Sequence, residues 1–541
     1  MENEYLEWSD TVVRTTARGH PCLVYQRRPL SVGALLVASR RWSDRTFILH
    51  GTRRMTFAAH EAAVRRASDL MASRGVTEGD RVGLLSANCP EWSVAFFAAM
   101  ELGAITSPLN SWWSRSEVEH ALRTVEPTLV VADSKQAGKL PSATRVLLIE
   151  ELADVISNGG DNGDGPRVGV SQEEGRAAVI LFTSGTTGFP KGATLSHRSL
   201  IANLQSLLVV SRRLPHQLAD DHRAGITLTN LPLFHIGAIQ LLLLPFVVGA
   251  ELVFPEGRFD AGEVLRLIEE EQVTTWSAVP TMVERALVHP EVHTRDTTSL
   301  RTVVMGGGVV PPDLLDRVAQ AFPTASRGVG QSYGLSEAGG VLSTGVAKDL
   351  SGRGPECVGR IVPVAEIKID QPNATGIGEI LARSPAVMDG YWGVHDDAIF
   401  APDGWLHTGD LGRVDDDGFL YVTGRSKDMI IRGGENIAPA HIEACLLSHP
   451  DVSEAAVVGL PHPDLGEEVG AIVALRPGAT TTGDELARFV RPHLARFEQP
   501  ERWWLRTEDL PKTDTGKIAK FRLREQWLTQ LTSGKADGIV G

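Results

Sequence analysis

Short apolar runs that stop at polar or glycine-rich turns set the rhythm of the first 350 residues. RVGLLSAN (81–88), TLVVAD (128–133), AAVILFTS (177–184), ELVF (251–254) and RTVVMGGG (301–308) are of this kind. Between them lie stretches with helical periodicity, such as Ala62–Ser73 and Ala261–Glu271. Buried strands alternating with helices predict an α/β architecture with largely parallel sheets. From about Gly354 the texture shifts to spaced strands and turns (CVGRIVPVAEIKID, TGIGEILARSP, GFLYVTGR), which predicts a small β-rich, barrel-like subdomain. After GRSKD (424–428) comes a compact α+β pattern. It has helices over Pro439–Leu447 and Asp484–Leu494, strands over 454–460 and 470–477, and a basic turn at 511–525. The expected division is therefore 1–426, with its β-rich part at about 354–426, and 427–541. NGGDNGDG (158–165) reads as a flexible surface loop.

Composition narrows the function classes. A chain of 541 residues, 42% hydrophobic and 22% charged, can build several folding units and excludes a disordered or collagen-like protein. Fifty-three basic against 67 acidic residues give a net charge of −14 without a dense basic run, so a nucleic-acid partner is not expected. The greasiest stretch, Leu241–Ala250, is too short for a bilayer span and holds Pro245. The chain opens MENEYLEWSD, without the cationic start and apolar run of a secretory signal. Cys22, Cys89, Cys357 and Cys445 form no CxxC, which points to a reducing compartment and away from structural zinc. A cytoplasmic protein, monomeric or homodimeric, is the expectation.

The strongest chemical signal is Thr183-Ser184-Gly185-Thr186-Thr187-Gly188-Phe189-Pro190-Lys191-Gly192, directly after an apolar strand. Glycines let backbone N–H groups approach an anion, hydroxyls donate, and Lys191 neutralises charge, so the loop suits a polyphosphate. It does not fit the GxxxxGK[ST] P-loop. Gly330-Gln331-Ser332-Tyr333-Gly334 satisfies G-x-S-x-G, but the residues before it, PTASRGV, do not make the apolar strand that a nucleophile elbow follows.

The 183–192 loop resembles the signature of the adenylate-forming superfamily, which includes acyl- and aryl-CoA synthetases. Its other motifs recur in order from about residue 30 to 525. The resemblance implies ATP- and Mg²⁺-dependent activation of a carboxylic acid as an acyl-adenylate, pyrophosphate release, and transfer to the thiol of coenzyme A. A carrier-protein thiol or an amine as acceptor stays open, as does a non-catalytic adenylate-binding protein. Tyr333-Gly334-Leu335-Ser336-Glu337 is similar to the family's YG-x-T-E motif: the ring offers adenine a stacking face, Ser336 serves the α-phosphate, and Glu337 holds Mg²⁺. Gly404–Asp410 resembles the ribose motif, with Asp410 rather than His407 as the carboxylate and Arg425 in support. Lys427 takes the hinge position. Lys517 matches the catalytic lysine of adenylation, and Gly433 and Gly434 lie on the loop that CoA would pass. By the same resemblance Phe234-His235, Gly306-Gly307-Gly308 and the run from Gln331 line the adenine and acid site, with His235 beside the carboxylate. His441 stands where relatives carry an acid. Trp112-Trp113 reads as packing, and His441, Glu443 and Cys445 as surface rather than metal ligands. The acid itself, fatty, aryl or cinnamate-type, is left open.

Overall fold

A computed structural model describes residues 7–158, 173–183, 190–219, 222–308, 310–311, 313–354, 356–394, 398–432, 435–512, 518–533 and 539–540. Most of the expected loop at 158–165 lies outside them, as do Ser184, Gly185, Thr186, Thr187, Gly433, Gly434 and Lys517.

Two large sheets carry the first 425 residues. The seven-stranded one runs Gly390–Tyr391, Lys191–Ser196, Ala177–Thr183, Ile105–Pro108, Arg81–Leu85, Leu129–Ala132, Val146–Leu148. Its strands from Ala177–Thr183 to Val146–Leu148 pair in parallel, as continuous apolar runs require. The thirteen-stranded sheet is parallel from Val329–Leu335 through Thr302–Gly306, Thr275–Ala278, Ile226–Thr229 and Glu251–Phe254 to Thr46–His50. Gly340–Val346 then turns it antiparallel, and the β-rich strands of 357–425 continue from there in hydrogen-bonded order.

Helices Pro90–Glu101 and Ile236–Val248 are hydrophobic on nearly every face, and both join one core with residues from both sheets. All-round apolarity marks a helix buried in a layered protein. The greasy Leu241–Ala250 stretch belongs to the second of these. Pro245 sits inside it. His60, wholly buried among Phe47, Phe97 and Phe246, has its pKa pushed down to about 3 by burial.

From Ile430 onward the strands form their own sheet of six, ordered Glu435–Ile437, Ile430–Arg432, Gly466–Leu475, Arg502–Arg506, Ile539–Val540, with Val452–His462 paired to Gly466–Leu475. Helix Pro439–Leu447 matches its expected range, started by a proline at its first position. Among the described residues no helix is long and apolar enough to cross a membrane.

Candidate active site

Asp410 and Arg425 are cross-strand partners on Leu406–Val414 and Phe419–Arg425. Opposed side chains on one face of an antiparallel pair meet, so the register alone brings acid to base. Arg425 Nε lies 3.1 Å from Asp410 Oδ1, while the Tyr333 hydroxyl donates to Oδ2 at 2.6 Å. The Asp410 N–H donates to Thr408 Oγ1 at 3.1 Å, and Thr408 in turn donates to the Ile380 carbonyl. Asp410 is 5% exposed. Burial and the Asp410 charge hold the Tyr333 phenol well above its ordinary pKa, so it stays a donor. Each carboxylate oxygen keeps a second lone-pair direction, which is what a ribose diol would use. His407 is occupied elsewhere: its Nδ1 lies 3.0 Å from Glu379 Oε2, and Glu379 Oε1 accepts the Gly409 N–H.

Tyr333 occupies strand Val329–Leu335, and the turn Ser336–Ala338 follows it. A Cβ at Gly334 would lie 2.0 Å from the Gly340 carbonyl oxygen, so the hairpin closes there only on glycine. Ser332 is mid-strand, opposite Gly306, so the G-x-S-x-G run is no strand-to-helix elbow. The same pairing sets the Gly306–Gly308 strip beside Tyr333. Gly307 and Gly308 are exposed, with Val279 and Pro280 within contact of where their Cβ atoms would be. Gln331 is turned into the sheet and donates to the Cys357 carbonyl at 2.6 Å.

Glu337 Oε1 accepts the Tyr391 hydroxyl at 3.0 Å, and the Lys191 ammonium stands 4.9 Å from the centre of the Tyr391 ring. Lys191 pairs across the strands with Thr183, so the two residues close the base of the 184–189 loop. The structure thus joins the phosphate-loop lysine to the acidic motif through Tyr391, which the sequence reading missed. Its signal was the Gly390-Tyr391-Trp392 run inside the β-rich segment. Ser336 heads the same turn, half-buried.

Among the described residues no cluster of three His, Cys, Asp or Glu side chains could cage a metal. Mg²⁺ bound with a nucleotide needs only one or two carboxylates, with phosphates and water completing its shell. Glu337, alone and propped by a phenol, fits that requirement.

His235 caps helix Ile236–Val248, its ring 4.5 Å from that of Phe234, and Phe234 meets Trp112 edge to face at 5.4 Å. Asn88 holds the preceding loop, donating to the Leu231 carbonyl and accepting the Leu233 N–H, both at 2.9 Å. The two adjacent tryptophans part company. Trp113 is buried against Phe182 as expected of packing, whereas Trp112 is 52% exposed. Lys427 lies on the turn after Arg425, its side chain partly open to solvent; partial desolvation and the Arg425 charge lower its pKa, against the opposite pull of Asp428, Asp410 and Glu337.

Residues 36–392 match the AMP-binding enzyme family, and residues 441–517 match the AMP-binding enzyme C-terminal domain. The chain belongs to this family of adenylate-forming acyl- and aryl-CoA synthetases. It is 34% identical over 496 residues to a feruloyl-CoA synthase from Amycolatopsis sp, covering 89% of this chain and 96% of the relative. It is 33% identical to a mitochondrial medium-chain acyl-CoA ligase of Mus musculus, covering 92% and 87%. Among solved structures, o-succinylbenzoate coenzyme A synthetase of Bacillus subtilis with ATP and magnesium superposes with a TM-score of 0.77 at 29% identity, covering 91% and 98%. The protein is an AMP-forming carboxylate–CoA ligase: it uses ATP, Mg²⁺ and coenzyme A, makes an acyl-adenylate, and transfers the acyl group to CoA.

Proposed function

We propose that Asp410 holds the ribose hydroxyls with Arg425 in support, and that Tyr333 sets the adenine platform against the Gly307–Gly308 strip. The observation that carries this reading is the 2.6 Å bond from Tyr333 to Asp410, which unites two motifs 77 residues apart at one carboxylate. Thr183, Ser184, Gly185, Thr186, Thr187 and Lys191 cradle the phosphates, Ser336 donates to the α-phosphate, and Glu337 carries Mg²⁺. The metal's contribution is to neutralise phosphate charge. In the first half-reaction a carboxylate oxygen of the acid, beside His235, attacks the α-phosphorus and pyrophosphate leaves. Lys517 stabilises the charge that builds there. In the second, the CoA thiolate attacks the acyl carbon and AMP leaves, the thiol arm passing Gly433 and Gly434. The segment from Lys427 onward rotates between the two steps, because Lys517 and the Gly433 loop are far apart in sequence and serve one reacting carbon.

For the acid, the row of rings Trp112, Phe234 and His235 favours a flat aromatic carboxylate, to which an exposed indole offers a stacking face. A feruloyl-CoA synthase among the relatives supports that class. The four free cysteines support a cytoplasmic setting. Pyrophosphate release screened over aliphatic, benzoate-type and cinnamate-type acids, with and without CoA, tests the proposal. Preference for an alkyl acid over every aryl acid would overturn the aromatic assignment.

A further inference from the structure

The N-terminal hairpin, Val12–Ala17 paired with His20–Tyr25, lies ahead of the family-matched residues. Its two-residue turn is Arg18-Gly19, with φ of +52° and +77°. Turns of this hand suit asparagine, aspartate or glycine, since a long side chain strains left-handed backbone. An arginine held there points to a use for its side chain.

That side chain grips one segment. Arg18 Nη1 donates to the Met388 carbonyl at 2.6 Å and Nη2 to the Ser384 carbonyl at 3.4 Å, with the guanidinium 5.5 Å from the Phe400 ring centre. Burial lowers the Arg18 pKa, and the Asp389 carboxylate pulls the other way. The opposite edge of the segment supports the acidic motif. The Met388 N–H donates to the Glu337 carbonyl at 2.9 Å, and three residues on the Tyr391 hydroxyl donates to Glu337 Oε1. A Cβ at Gly339 would fall 1.9 Å from the Ala386 carbonyl oxygen, so the Ser336–Ala338 turn lies flush on this segment. His20, at the hairpin's tip, fills the space beside Gly404, at the head of the strand that carries Asp410.

We propose that Arg18 is a positioning residue for Glu337: it clamps residues 384–391 from behind, and so fixes the carboxylate and its Tyr391 partner for the metal-bound nucleotide. This rests on the assignment of Glu337 to Mg²⁺. Supports behind a metal-binding side chain commonly govern affinity by tenfold or more.

Arg18→Asn keeps a turn-compatible residue while removing the guanidinium, and Arg18→Lys keeps charge without the fork. Melting midpoints of the full-length protein are followed with an α,β-methylene ATP analogue, first without Mg²⁺ and then across a Mg²⁺ titration. Arg18→Asn should need at least about tenfold more Mg²⁺ for half-maximal stabilisation, with the metal-free stabilisation unchanged and Arg18→Lys intermediate. Arg18→Asn should also convert preformed acyl-adenylate and CoA to thioester at the wild-type rate. An unchanged Mg²⁺ midpoint overturns the proposal, as does an equal loss with and without metal, which would make the hairpin a scaffold only. Glu337→Gln is run beside these variants. If it fails to raise the Mg²⁺ requirement, the Glu337 assignment falls and the proposal with it; if it responds and Arg18→Asn does not, only the proposal falls.

Discussion

Two carboxylates, Asp410 and Asp509, show how differently the two parts of this enzyme are held. Asp410 is almost wholly buried, bonded by a phenol and a guanidinium, and tied to its own strand. Asp509 meets Arg285 of helix Pro280–Leu287 at 2.8 Å, across from the first 425 residues to the C-terminal sheet, and both side chains are more than half exposed. A buried acid with a partner on each oxygen is costly to disturb, whereas an exposed ion pair contributes at most about 1 kcal/mol. Under the proposed roles, the nucleotide cradle is held firmly and the C-terminal unit is tethered loosely. That division suits an enzyme whose two steps share one bound adenylate.

The sharpest blow to the fixed side is Asp410→Ala. The two charge-assisted hydrogen bonds proposed from Asp410 to ribose, each worth roughly 1.5–3 kcal/mol, predict a loss in ATP affinity on the order of 10³-fold. Calorimetric titration with ATP measures it, and an affinity within threefold of wild type would remove Asp410 from the nucleotide site. Next in size is Lys517→Ala, expected to slow pyrophosphate release by on the order of 10²-fold. Thioester formation from preformed acyl-adenylate should survive. Equal damage to both half-reactions would take the lysine out of adenylation.

Much of this contrast was readable from the chain. Pro439–Leu447 was found to the residue because proline at a first helical position is a local signal. Helix Phe57–Ser73 begins five residues before the expected Ala62, although Thr56, whose hydroxyl accepts the Ala59 N–H, marks the start. Asp410 and the YG-x-S-E motif were legible as candidate chemistry. Their meeting was not, because the bond from Tyr333 to Asp410 depends on strand order and register, which no local pattern encodes. Gln331 shows the same limit. The resemblance counted it among the residues lining the site, and only the strand order shows that its amide donates to the Cys357 carbonyl. Arg18 and Tyr391 went unread because each acts across more than fifty residues through backbone carbonyls or a lone hydroxyl.

On the mobile side, Arg285→Glu sets like charges against each other where Arg285 and Asp509 now attract. Asp509 lies three residues before Lys512, which bridges to Ile518, the residue after Lys517. Helix Pro280–Leu287 starts beside the Gly307–Gly308 strip, so under the proposed roles the ion pair favours the pose in which the C-terminal unit serves adenylation. Arg285→Glu should therefore lower the adenylation rate about twofold to fivefold at low salt, relative to thioester formation. The effect should fade near 1 M salt, where the screening length is about 3 Å. Arg285→Glu with Asp509→Arg should restore the ratio, and failure of that exchange would show that the two charges do not act as a pair.

The smallest expected effect concerns His441, whose Nδ1 lies 3.0 Å from Glu498 Oε1. The glutamate raises the imidazole above its ordinary 6.5, with a further pull from Glu356 across the junction, while His441 lowers Glu498 below its ordinary 4.5. A raised histidine stabilises fully below 6.5 and loses that contribution as pH rises through its folded value. A lowered glutamate stabilises above 4.5 and loses its share as pH falls through its own folded value. The pair therefore contributes most between these two ordinary values. Because His441 is nearly half exposed, solvent screening keeps the gain below about 1 kcal/mol. Denaturant unfolding of the C-terminal unit, followed by hydrogen exchange, should show His441→Ala weaker than wild type at pH 5.5 and indistinguishable at pH 9. The same deficit at both pH values would mean that His441 acts by packing alone. A deficit confined to acid pH would make the protonated His441–Glu498 pair an internal support of the C-terminal unit.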